Sequence, residues 1–205
     1  MQKKKWSLAD IEVLEKKKRL HLINSCTGYK SANLIGSISS DGVENLAVFS
    51  SIVHLGSDPA FLGFILRPTT VPRHSFANIL ETGYFTVNHV NESIYKKGHD
   101  TSLSYPKEQS EFEIVGLTPE YQNDFIAPFV KEASVKIGCK YSSHYDIKEN
   151  GTILVTGQII SIEAPVEAVD HDLFIDLSRA NTLTINGLDG YAKTQTIERI
   201  PYKKL

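Results

Sequence analysis

The chain has 205 residues, 41% of them hydrophobic and 22% charged, with a net charge of −2 when histidine is counted neutral. That length suits one domain over 1–205 with one sizeable core, and the near-neutral balance excludes a general pull towards nucleic acid or an anionic membrane, so any anion site must be built locally. No apolar run approaches the length a bilayer crossing needs, and two distant cysteines outside any CxxC pair, Cys26 and Cys139, fit a reducing cytoplasm better than a disulfide scaffold.

The opening MQKKKW carries the charge of a signal-peptide n-region, but SLADIEVLEKKK follows instead of an apolar stretch, so export is not expected. Ser7 with Asp10 three residues on is a capping-box pattern and predicts a helix over about 8–18, within an N-terminal helical extension of about 25 residues. KKKRL reads as the solvated end of that helix, and LHLINS as a short strand or turn. Asn24, Ser25 and Lys30 lie where they could reach a ligand.

Apolar residues on both sides of Asp41-Gly42 predict an antiparallel hairpin, and AFLGFIL predicts a strand buried on both faces. Gly63 inside that strand suggests a bulge or the close approach of something flat. The basic, hydroxyl-rich loop from Arg67 to His74 then runs through Pro72 into a helix with Phe76, Ile79 and Leu80 on one face, ended by Thr82-Gly83. Such a helix turns its free N–H groups and positive pole towards Arg67, Thr69, Thr70, Arg73, His74 and Ser75, which is how proteins hold phosphate. The alternative, that the two arginines are surface residues paired with carboxylates, is less favoured by their loop position and the helix start.

YFTVNHV predicts a further strand. Residues 91–129 read as a short helix near 93–99, a polar loop through SYPKEQSEF and two proline breaks. This excursion is longer than a plain connection and covers either one end of a barrel or a partner subunit. SVKIGCKYS and TILVTGQIISIE predict strands around an Asn150-Gly151 turn, and HDLFIDLSRANTLTINGLDGYAK a helix followed by a glycine-punctuated loop. The fold class is mainly β with flanking helices, most simply an antiparallel barrel with helices outside it.

The runs NLIGS, NLAVFSS, HLGSDP, GFILRP and VPRHSFANI resemble the flavin reductase-like, FMN-binding split-barrel family, in a bacterial subgroup, over about residues 24–191. The resemblance implies a six-stranded split barrel, a homodimer with flavin at the subunit interface, and FMN rather than FAD as cofactor. It further implies NADH or NADPH as electron donor, with hydride passing to the flavin. By resemblance Arg67, Thr69, Thr70, Arg73, His74 and Ser75 fall on the phosphate loop. Phe49, Ser50, Ser51 and Ile52 fall on the strand end that reads the flavin ring, and Asn88 and His89 on a strand lining the same cleft. A nicotinamide contact would fall near Tyr191, where TINGLDGY replaces the family's arginine-leucine-glycine. His54 follows the flavin strand and is more simply an ordinary loop histidine than a catalytic group.

No HxxxH, HExxH or Cys-His spacing argues for a metal, and no GxGxxG or GxSxG for a Rossmann or hydrolase site. The sequence points to an NAD(P)H-dependent flavin reductase, with a non-catalytic flavin protein (electron carrier, flavin store or redox sensor) as the alternative.

Overall fold

The computed structural model describes residues 1–122 and 124–201. Its N-terminal part holds two helices, α1 (Leu8–Glu12) and α2 (Lys16–Cys26), where one was expected. Both arms of the Ser7–Asp10 capping box are made. LHLINS is helical, not a strand: Asn24 Nδ2 and Ser25 Oγ donate one turn back to the carbonyls of Leu20 and His21 at 2.8 and 2.7 Å, bonds that only helical spacing allows.

Strands β1 (Tyr29–Ser31), β2 (Asn33–Ile38), β3 (Glu44–Phe49), β4 (Val53–Ser57) and β5 (Ala60–Leu66) precede helix α3 (His74–Thr82). After it come β6 (Tyr84–His89), helices α4 (Tyr95–Asp100) and α5 (Glu111–Val115), and the short pair β7 (Pro119–Glu120) and β8 (Phe129–Val130). The long strands β9 (Lys136–Ile147) and β10 (Thr152–Glu163) follow, then β11 (Leu183–Asn186) and β12 (Gly190–Lys193).

The main sheet has seven strands in the order β3-β2-β6-β9-β10-β5-β4, one more than the six that the resemblance implied. Every neighbouring pair is antiparallel. Both expected hairpins form, with Gly42 and Gly151 at φ +83° and +72°. Inside the curl of the sheet Ile35, Phe64, Ile79, Phe85, Val87 and Val155 are fully buried. The residues just past edge strand β3 reach back to β5, where Ser51 Oγ donates to the Ile65 carbonyl and accepts its amide at 3.0 and 3.1 Å.

Edge strand β4 carries a bulge in which Leu55 is the extra residue, with Val53 and Leu55 43% and 45% exposed. Gly63 lies opposite, and a Cβ there would sit 3.1 Å from the side chains of Leu55 and Leu154. The bulge expected near Gly63 is therefore on the neighbouring strand, and the space beside the glycine is taken by the chain's own side chains.

The 91–129 excursion packs on its own sheet. Thr86 Oγ1 donates to the Pro128 carbonyl at 2.7 Å, Asn88 Oδ1 accepts the Val130 amide at 2.9 Å, and a buried Lys136 ammonium holds Glu120 at 2.5 Å and Glu163 at 3.2 Å. The end of the expected polar loop, Glu111 and Phe112, instead starts α5, which Gly116 closes at φ +67°.

HDLFIDLSRA is not a helix. The Asp176 carboxylate accepts the amides of Ser178 and Arg179, and Leu173 and Asn181 sit at φ +66° and +54°, which breaks helical continuity. The glycine-punctuated stretch beyond it is the β11–β12 hairpin, paired to β1. No helix among the described residues is long and apolar enough to cross a membrane.

Candidate functional site

Where the end of β3, the end of β5 and the start of α3 converge, a cleft of about 1070 Å³ opens. That is at the upper end of ordinary small-molecule sites. Phe49, Ser50, Ser51, Arg67, Arg73, His74 and Ser75 line it together. The loop can gather them because β5 ends at Leu66 and the chain does not become helical again until His74.

Arg73 is the N-cap of α3 and makes no side-chain cap; its carbonyl takes the Phe76 and Ala77 amides, both at 3.0 Å, which leaves the amides of His74 and Ser75, two residues that line the cleft, without a capping side chain. Its Nε donates to the Pro68 carbonyl at 3.2 Å, which fixes the guanidinium over the loop. Burial, and then the charge of Arg67, push the Arg73 pKa down. Among the described residues neither arginine is within ion-pair distance of a carboxylate. Two cations lining one cleft with no carboxylate partner among the described residues suit an anion.

One side of the cleft is formed by β3, through Asn45, Ala47, Val48 and Phe49. Leu46 directs its amide away from β2, because that amide is taken by Glu111 Oε2 at 3.0 Å. Antiparallel alternation turns the Val48 amide the same way, towards the cleft that Val48 lines. Phe49 adds an apolar surface, edge-on to Phe64 at 5.1 Å. These elements suit a flat heterocycle with acceptors on its rim. The hydroxyl of Ser51 is committed to Ile65, which leaves Ser50 as the free-standing hydroxyl of the pair.

The other expected residues lie elsewhere. Thr69 and Thr70 are exposed and do not line the cleft, and Ile52 packs against the core. Asn88 is fully buried, with its amide nitrogen donating to Leu34 and Thr86 and its oxygen accepting from Val130, so it clasps the excursion to the sheet. His54 is exposed on β4, 3.3 Å from Ser57 Oγ.

His89 is partly covered at the end of β6, outside the cleft, and burial pushes its pKa down to about 4. Folded protein therefore resists a proton that unfolded chain accepts below about pH 6.5, so stability present above that pH is lost as pH falls towards 4. Chemical denaturation should show a loss of up to about 3 kcal/mol across that window, and His89→Gln should flatten it.

Of the opposite wall, sequence reading named only Asn24 and Tyr191. Lys17, Leu20, His21 and Asn24 of α2, the 101–107 loop, and Leu188, Asp189 and Tyr191 near the β11–β12 turn all face the same space. Of the N-terminal residues thought able to reach a ligand, Asn24 does, while Ser25 bonds its own helix and Lys30 Nζ donates to the Asn24 carbonyl at 2.9 Å. The length of the 91–129 segment was the available signal for this wall. Tyr191 Oη lies 3.3 Å from His99 Nδ1, and burial followed by the charge of Asp100 pushes its pKa up to about 12.

A family model described as "Flavin reductase like domain" matches residues 29–176. The chain belongs to that family. A crystal structure from Shewanella frigidimarina NCIMB 400, described as a flavin reductase with split barrel domain, is 47% identical, with a TM-score of 0.94 over 98% of this chain and all of that one. Nitrilotriacetate monooxygenase component B from Bacillus cereus shares the fold, with a TM-score of 0.84 at 19% identity over 97% of this chain and all of that one. An uncharacterized protein of Aquifex aeolicus is 29% identical over 161 residues, 78% of this chain and 81% of that protein. The family match ends at Asp176, so the β11–β12 part of the cleft lies beyond it.

Proposed function

We propose that the chain is an FMN-binding, NAD(P)H-dependent flavin oxidoreductase that works as one domain, as a cytoplasmic homodimer with its flavin cleft at the subunit contact. The observation that carries this reading is that Arg67, just past β5, and Arg73, at the uncapped start of α3, line one cleft with no carboxylate partner among the described residues. They fit a terminal phosphate, with the first amides of α3 completing its donors. The Val48 amide, Ser50 and Phe49 fit the polar rim and the face of the ring.

Bound FMN supplies hydride acceptance from reduced nicotinamide, chemistry that belongs to the cofactor. The chain's residues position and shield. Phe49 and the β3 edge set the plane of the ring, and the 101–107 loop with Tyr191 leaves room beside it for a second ligand. At neutral pH the Tyr191 hydroxyl remains a hydrogen-bond donor.

Anaerobic mixing of the FMN-loaded protein with NADH or NADPH tests the reading. Bleaching of the flavin absorbance within seconds is expected. Stable colour with both nucleotides would favour the carrier, store or sensor alternative, and failure to bind FMN at all would remove both.

A further inference from the structure

Glu111 is the first residue of α5 and only 7% exposed, yet its side chain lines the cleft. Among the described residues no cation lies within ion-pair distance of it. Its Oε2 accepts the Leu46 amide at 3.0 Å, and the neighbouring Asn45 donates Nδ2 to Ser75 Oγ at 2.8 Å in the first turn of α3. A buried carboxylate is thus two hydrogen bonds and one peptide unit from the arginine-lined seat. The other charged and titratable groups sharing that cleft are Lys17 and His21 of α2, Arg67 after β5, Arg73 and His74 at α3, His99 of α4, Tyr105 and Lys107 of the following loop, and Asp189 and Tyr191 near the β11–β12 turn. Burial raises the Glu111 pKa, while the amides of Leu46 and Glu111 and the charge of His74 pull it back.

We propose that Glu111 is the charge-selecting residue of the phosphate seat, so that a flavin monophosphate binds together with one proton, which passes from solvent to the Glu111 carboxyl. The inference rests on the flavin reading above and deepens it. An ionised Glu111 opposes the second negative charge of a phosphomonoester, and protonation removes that opposition without breaking the fold. Riboflavin has no phosphate and so binds without the proton. Above the second pKa of the phosphate, about 6, the preference of the cleft for the phosphorylated flavin accordingly falls as pH rises.

The test is calorimetric titration of FMN and of riboflavin into the ligand-free full chain at pH 8, in two buffers of different ionisation enthalpy. At that pH the flavin phosphate is already dianionic, since its second pKa is about 6. Wild type should take up protons with FMN and none with riboflavin. Glu111→Gln should bind FMN about tenfold more tightly with the proton uptake gone, and riboflavin as before. Glutamine keeps an acceptor for the Leu46 amide. Should the variant not fold, the wild-type preference for FMN over riboflavin must still fall between pH 7 and 9.

Equal proton counts in the two proteins, or a wild-type preference that stays flat with pH, would overturn the inference while FMN binding itself stands. No FMN binding by wild type would overturn the flavin reading and this inference together.

Discussion

Replacing Arg67 and Arg73 together by alanine should weaken FMN binding about a hundredfold, and either replacement alone about tenfold, in a fluorescence titration. Each removes one charge-assisted contact, worth about 1.4 kcal/mol in affinity. The two losses need not add, because Arg67 lowers the Arg73 pKa and its removal relieves that repulsion. Riboflavin separates a phosphate effect from a misfolded loop: its affinity should hardly change in any of the three variants. Arg73 is also tied to the Pro68 carbonyl, so its single variant should loosen the loop somewhat more than Arg67→Ala. An FMN affinity equal to wild type in the double variant would remove the anion seat, and the proposed function with it.

Gly36→Ala should be the most damaging small substitution in the sheet. A Cβ at Gly36 would lie 2.5 Å from Thr86 Oγ1 and closer still to the Pro128 carbonyl oxygen. Neither can retreat cheaply, because Thr86 donates to that carbonyl and Asn88 binds both Thr86 and the amide of Val130. Overpacking against backbone should cost about 3 kcal/mol or more, a fall in Tm of roughly 10 °C for a chain of this size. Gly42→Ala is the control: its φ is +83° but nothing lies within 4 Å of the added carbon. That strain alone should cost about 1 kcal/mol. Equal losses from the two would mean that the excursion is not clamped at Gly36.

The readable parts of the sequence were those in which local chemistry decides the structure. Asp41-Gly42 and Asn150-Gly151 need positive φ at the glycine, and both hairpins follow. Thr82-Gly83 stops α3 with Gly83 at φ +76°. The buried face of α3 was misread, since Ser75, Asn78 and Ile79 are buried while Leu80 is 47% exposed. Polarity misleads there because Asn45 and Ser37 supply partners inside. The resemblance, not periodicity, led to the split barrel, and it brought Arg67, Arg73, His74 and Ser75 to one place.

Asn88 was expected in the cleft because its strand is near, but in a strand the side an odd or even residue faces depends on register, which no local pattern here fixes. The wall made by α2, the 101–107 loop and the β11–β12 turn depends wholly on long-range packing. Glu111 stood in what looked like a polar loop, and only the β3 edge gives its carboxylate a purpose.

The extra residue in β4 bears on how the molecule behaves in crowded solution. An outermost strand with exposed Val53 and Leu55 offers neighbouring molecules a place to add their own strands, the first step towards fibrous association. Leu55 shifts the register within a five-residue strand, so an incoming chain meets matched donors and acceptors for only a residue or two on either side. The irregularity that spoils this strand as a template lets the sheet end there without a covering helix.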